Sequence, residues 1–227
     1  MSIADQVALV RADVAAACLA TGREPAAVRV LAAAKTMPIE RIRDALDAGQ
    51  TLLGENRAQD LRDKAPQLAA HSPPPEWHFI GRLQRNKVKY VVPWATLIHT
   101  VDSLDLAEAI ANRASAPIGV LVQVNTGNDA AKGGALPEQA LDLAASIHAL
   151  DGIDLRGLMT LPPWTDDPTD SLEHFQTLAD LAAEGRARGL PLTELSMGMS
   201  RDFHQAIAAG STMVRIGTAI FGARPAH

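Results

Sequence analysis

The chain has one cysteine, Cys18, and one tyrosine, Tyr90, in 227 residues. A single thiol cannot close an intramolecular disulfide, and it excludes a cysteine-rich zinc site. A reducing cytoplasm is the expected compartment. There is no excess of positive charge: the formal net charge is -5, which argues against a nucleic-acid binder. The one basic stretch, Arg82, Arg85, Lys87 and Lys89, lacks interleaved aromatics and reads as a solvated helix face. No apolar run approaches the length of a membrane span. The N-terminus meets Asp5 before any cation and has no long apolar core, so no signal peptide is expected. Repeats, low-complexity segments and a dividing linker are also missing, and residues 1–227 read as one domain.

What is present is apolar content, 47% of the chain, enough for one sizeable core at the length of a single α/β barrel. Val7, Val10, Val14 and Cys18 have helical spacing and predict a helix over 2–20. A strand over Val30 to Ala34 follows, then a helix opened by Pro38. Further strands are expected at Thr51–Leu53, Trp77–Ile80 and Leu97–His99. The second half continues with Ile118–Val124, Leu155–Met159, Leu192–Leu195 and Thr212–Ile216. Helical patterns lie between them, including a basic one over 84–92, one over 137–150, one over 169–188 and one capped by Ser200. Eight strands alternating with eight helices predict an α/β fold, a (β/α)8 TIM barrel with an extra N-terminal helix. A doubly wound open sheet is the alternative.

Active sites of such barrels lie at the C-terminal ends of the strands. Lys35 falls at the end of strand one, where a dry wall disfavours the ammonium and leaves a nucleophilic amine able to form a Schiff base with a carbonyl. Asn56 follows strand two, His78 lies within the end of strand three, and Asn125 and Met159 fall at the ends of strands five and six. The loops after strands seven and eight are the usual phosphate site. Here they contain Gly198, Ser200, Gly217 and Thr218, with Ser200 read as the N-cap of a helix. Arg215 shares the inward side of strand eight with Gly217. Its reading is either a donor to a pyridine nitrogen or a buried ion pair with Glu194 or Asp202. A Schiff-base lysine opposite a phosphate cradle suggests pyridoxal 5′-phosphate (PLP).

Several motifs carry a resemblance: Ala34-Lys35-Thr36, Gly54-Glu55-Asn56, the run from Trp77 to Lys87, Arg156-Gly157-Leu158-Met159, the run from Ser196 to Asp202, and that from Arg215 to Gly222. Together, over about residues 3 to 224, they resemble the pyridoxal phosphate homeostasis protein family. The resemblance implies a monomeric barrel similar to the N-terminal domain of alanine racemases. It implies PLP held on Lys35, with the phosphate against Ser200, Gly217 and Thr218 and with Arg215 near the ring nitrogen. It further implies a carrier and regulator of vitamin B6 and amino-acid balance with no catalytic residues, whose partners are PLP and PLP-dependent apoenzymes. Met37 stands where many members carry a second lysine, an acidic residue common after the Gly-Met-Ser motif is missing near His204, and the tail Arg224 to His227 has no lysine. Lys132, after strand five, matches another lysine of the family and reads either as a point of transient cofactor capture or as a solvated loop residue. The competing function is a PLP-dependent amino-acid racemase. That activity needs a second acid/base opposite the lysine, and Tyr90, the only tyrosine, falls on the basic helix.

Overall fold

A computed structural model describes residues 1–129 and 132–222. The C-terminal tail and part of the loop after strand five lie outside the described residues. Eight parallel strands form a closed barrel in chain order: β1 (Arg29–Ala33), β2 (Leu52–Glu55), β3 (Glu76–Phe79), β4 (Ala95–Val101), β5 (Ile118–Val124), β6 (Ile153–Thr160), β7 (Glu194–Met199) and β8 (Met213–Ile216). Closure is made by β1 on β8, with Leu31 opposite Arg215.

The helices are α1 (Ile3–Ala20), α2 (Ile39–Asp47), α3 (Ala58–Leu68), α4 (Val88–Val91), α5 (Leu104–Ala111), α6 (Pro137–His148), α7 (Leu172–Ala187), α8 (Phe203–Ala208) and α9 (Thr218–Phe221). Each of α2 to α9 follows one strand. The additional helix α1 starts at a capping box in which Ser2 and Asp5 bond each other's backbone N–H. Its buried stripe Val7, Val10, Val14 and Cys18 packs it on α2, α8 and α9.

Two apolar clusters follow from strand alternation. Outward residues such as Trp77, Phe79, Leu195 and Val214 join the helices in the main core. Inward residues Leu31, Leu52, Leu97, Leu121, Met159 and Met213 fill part of the barrel. The remaining inward positions on β3, β4, β7 and β8 are polar: Glu76, His78, His99, Ser196 and Arg215 bond one another across the lumen.

Several expected boundaries move. The seventh strand runs from Glu194 to Met199 and the fourth extends to Val101. The basic helix is a short 3-10 turn, Arg85–Lys87, followed by α4. Ser200 caps no helix. The chain turns at Gly198 (φ +91), Asp202 Oδ1 accepts from the Met199 N–H at 2.6 Å, and Asp202 is the residue that precedes α8.

Candidate functional site

At the C-terminal mouth of the barrel lies a cavity of about 540 Å³ lined in part by Lys35, Asn56, Ser200, Arg215, Gly217 and Thr218. These six candidates come together from the ends of β1, β2, β7 and β8. His78 and Met159 do not. His78 is wholly buried and spends both ring nitrogens on His99 and Glu76, 2.9 Å each. Met159 is wholly buried in the apolar cluster within the barrel. Both point into the lumen because they occupy inward positions below the rim, and neither is among the residues that line the cavity. Asn125 organises the loop after β5, donating to the Asp129 carbonyl at 2.9 Å.

Lys35 sits two residues beyond β1, in a turn rather than on the strand. The Ala34 N–H still bonds the Gly54 carbonyl at 2.8 Å, and the Met37 N–H then closes back on the Ala34 carbonyl at 3.1 Å. Between them Thr36 adopts φ +62, a left-handed conformation that a β-branched residue rarely takes. Strain of this kind persists where the surroundings over-determine it, often at functional sites. Here it turns the half-buried Lys35 to the cavity wall.

Behind this turn Glu55, wholly buried, accepts from Lys64 Nζ at 2.6 Å and from the Asn56 N–H at 2.8 Å. Burial raises the Glu55 carboxyl above its usual range, and Lys64 offsets part of that rise. Asn56 Oδ1 is buried with no hydrogen-bond partner among the described residues. Buried acceptors of this kind are rare, and in a cavity wall they mark where a donor is received.

Arg215 is the buried cation of the site. It donates from Nη1 to Ser196 Oγ at 2.7 Å and from Nη2 to the Thr160 carbonyl at 2.9 Å. Neither Glu194 nor Asp202 forms an ion pair with it; among the described residues no carboxylate oxygen comes within 4.0 Å of its nitrogens. Burial lowers its pKa to about 10, which leaves it a cation at neutral pH. Arginine has donors only, so whatever it meets in the cavity must accept. On the same side the Thr218 and Ser200 hydroxyls lie 3.4 Å apart, beside Gly217.

Sequence reasoning did not single out the β6–α7 loop as a wall of the cavity, although Leu161, Pro162, Pro163 and Trp164 line it. Trp164 is 72% exposed, and its ring is 4.9 Å from the Arg201 guanidinium. The placement rule for barrels could have found this loop, because it follows a strand end. Lys132 also lines the cavity and donates to the carbonyls of Pro162 and Leu161. Tyr90 is not among the cavity residues; the cations of Arg62, Lys87 and Lys89 surround its ring at 4.9, 5.6 and 5.1 Å. Among the described residues no cluster of His, Cys, Asp or Glu could hold a metal, and no helix is long and apolar enough to cross a membrane.

A family model described as the alanine racemase N-terminal domain matches residues 11–225. The chain is 44% identical over 208 residues to the pyridoxal phosphate homeostasis protein of Vibrio alginolyticus, covering 89% of each. It is 40% identical over 228 residues to the protein of that name from Aquifex aeolicus, covering 99% of each. The structure of PipY from Synechococcus elongatus PCC7942 with PLP bound matches at a TM-score of 0.84 and 34% identity, over 97% of this chain and 100% of that one. The chain belongs to the pyridoxal phosphate homeostasis protein family, built on the barrel of the alanine racemase N-terminal domain.

Proposed function

We propose that the chain binds PLP in the C-terminal mouth and acts as a carrier and regulator of that cofactor, without steady catalytic turnover. The observation that carries this reading is Arg215, a buried cation with no carboxylate partner among the described residues, on the same cavity as the Lys35 amine. When bound, the cofactor would supply an aldehyde able to condense with an amine, with loss of one water; of the two lysines on the cavity, Lys132 donates to the Leu161 and Pro162 carbonyls, and Lys35 is the amine assigned to this role. Arg215 donates to the ring nitrogen and keeps it unprotonated, because a guanidinium cannot accept. The hydroxyls of Ser200 and Thr218, with Gly217 beside them, receive the phosphate. Asn56 Oδ1 is an acceptor for a donor on the ring side.

The racemase reading has the family fold in its favour. Against it stands the position of Tyr90, on α4 among cations and not on the cavity, which leaves one named base where two are needed. The reading includes a monomer in the cytoplasm that passes PLP to dependent apoenzymes.

The test is the absorbance spectrum of the purified protein before and after borohydride reduction, with peptide mapping of the fixed label. The expected result is a visible band and label on the Lys35 peptide, lost in Lys35→Ala. Label on another lysine, with Lys35 unmodified, overturns the assignment.

A further inference from the structure

The polar residues inside the barrel form one unbroken line. Glu76 opens it at the N-terminal mouth, where it faces a second cavity of about 410 Å³ together with Arg29. Glu76 Oε1 lies 2.9 Å from His78 Nε2, His78 Nδ1 lies 2.9 Å from His99 Nε2, and His99 Nδ1 lies 2.9 Å from Ser196 Oγ. Arg215 then donates to Ser196 Oγ at 2.7 Å and lines the upper cavity. The line joins β3, β4, β7 and β8, which only barrel closure brings together.

Its direction follows from the two ends. Glu76 is held well into the ionised form, at about 2, by the His78 N–H and by Arg29, so it can only accept, and His78 must present Nε2–H. Burial keeps His78 neutral against the pull of Glu76, so its Nδ1 has no proton and accepts from His99 Nε2–H. Burial and the neighbouring Arg215 cation keep His99 neutral as well, so its Nδ1 accepts from the Ser196 hydroxyl. Ser196 Oγ is then free to accept from Arg215, which has no other role available to it. Every bond runs the same way, from the cation to the anion, and each ring nitrogen and the hydroxyl is satisfied. The other charges facing the line are Arg29 on β1, Glu194 on β7 and Asp202 before α8.

We propose that Glu76, His78, His99 and Ser196 form a one-directional hydrogen-bond relay that holds Arg215 in place as a donor to the upper cavity, so that Glu76, at the opposite mouth, is a positioning residue for the ring-binding site. The relay spreads an ion pair through the barrel without placing a carboxylate beside the ring nitrogen. A carboxylate there would supply a proton acceptor and compete for the guanidinium donors. The effect on the cofactor rests on the PLP reading above; the relay itself does not.

Two measurements test it. Long-range proton–nitrogen NMR spectra of nitrogen-15-labelled protein, prepared without cofactor, should show His78 and His99 both protonated at Nε2 and bare at Nδ1 at pH 8. Either ring protonated at Nδ1 overturns the relay. The second measurement is the pH midpoint of the visible band after loading with pyridoxal 5′-phosphate. Removing the anion in Glu76→Gln should lower that midpoint by about half a pH unit, because a neutral acceptor polarises the relay less and leaves the Arg215 charge less compensated beside the upper cavity. In the background of His99→Phe, where the line is cut with no change of charge, the same substitution should have less than about half that effect. Equal shifts in both backgrounds mean that Glu76 acts through space alone, and overturn its positioning role. A missing band in the unmutated protein overturns the cofactor reading, while the tautomer spectra still decide the relay.

Discussion

Lys64 Nζ lies 2.6 Å from Glu55 Oε1, and the pair is buried behind the turn that carries Lys35. Lys64 also reaches the Ala34 carbonyl at 3.4 Å, so one ammonium ties the end of β2 to the residue before the candidate nucleophile. Removing one partner of a buried pair leaves an uncompensated charge, which costs about 3–5 kcal/mol. Lys64→Met should therefore destabilise the fold by about 3 kcal/mol at pH 8. The carboxyl of Glu55 is already raised by burial, and losing Lys64 raises it further. A raised acid binds more protons folded than unfolded, so its penalty develops as pH rises past the ordinary carboxylate range. The loss should be smaller at pH 5 than at pH 8 in urea titrations. The same loss at both pH values would show that Glu55 does not carry the charge.

Acid should weaken the fold in two stages. His99 is held neutral well below the ordinary histidine range, so the unfolded chain binds a proton there first, and stability falls as pH drops below about 6.5. Glu76 is depressed to about 2. Its contribution is fully present above the ordinary glutamate range and is lost as pH falls from about 4.5 towards 2. The Glu76 side chain is 38% exposed, so solvent screens its interactions and the second stage is the weaker of the two. Melting temperature against pH should decline already between pH 6.5 and 5. A flat profile down to pH 5 would contradict a neutral, buried His99.

The phosphate assignment is tested by Ser200→Ala combined with Thr218→Val. A hydrogen bond to a charged group contributes about 1.5–3 kcal/mol, so losing both hydroxyls should weaken PLP retention by at least tenfold in equilibrium dialysis. Ser200 is half-exposed and Thr218 is exposed, so the melting temperature should hardly move. Equal affinity in the double variant and the parent would put the phosphate elsewhere.

Much of the barrel is legible in the sequence because a parallel strand is buried on both faces and reads as an apolar run. Ile118 to Val124 is such a run and matches β5 residue for residue. β7 is harder: Glu194, Ser196 and Gly198 break the apolar pattern, and they do so because the lumen beside them is polar. The same cause hides the relay. His99 meets residues 21 and 97 positions away, and no local pattern encodes such pairings. Strand alternation shows that His78 points inward, but its depth below the rim depends on register around the closed barrel. Ser200 fails for a local reason: Gly198 turns the chain two residues early, and the Asp202 side chain then takes the Met199 N–H.

Turnover separates the carrier from the enzyme. Removing the α-proton of a bound amino acid needs electron withdrawal into the cofactor ring, and on the proposed reading Arg215 would oppose it, since a guanidinium that donates to the ring nitrogen cannot protonate it. Racemisation needs a second acid/base across from Lys35. His78 cannot supply it: the side chain is fully buried below the cavity and both nitrogens are engaged by Glu76 and His99. Tyr90 lies on α4 under three cations. Amino acids should therefore shift the visible band without sustained reaction. The measurement is Cα proton exchange in deuterated water, followed for hours with a panel of L- and D-amino acids. Exchange far below ordinary enzymatic rates, on the order of 1–10³ per second, is the expected result. Exchange within that range would make this chain an enzyme, and its loss in Lys132→Ala but not in His78→Ala would name the missing base, since Lys132 shares the cavity with Lys35.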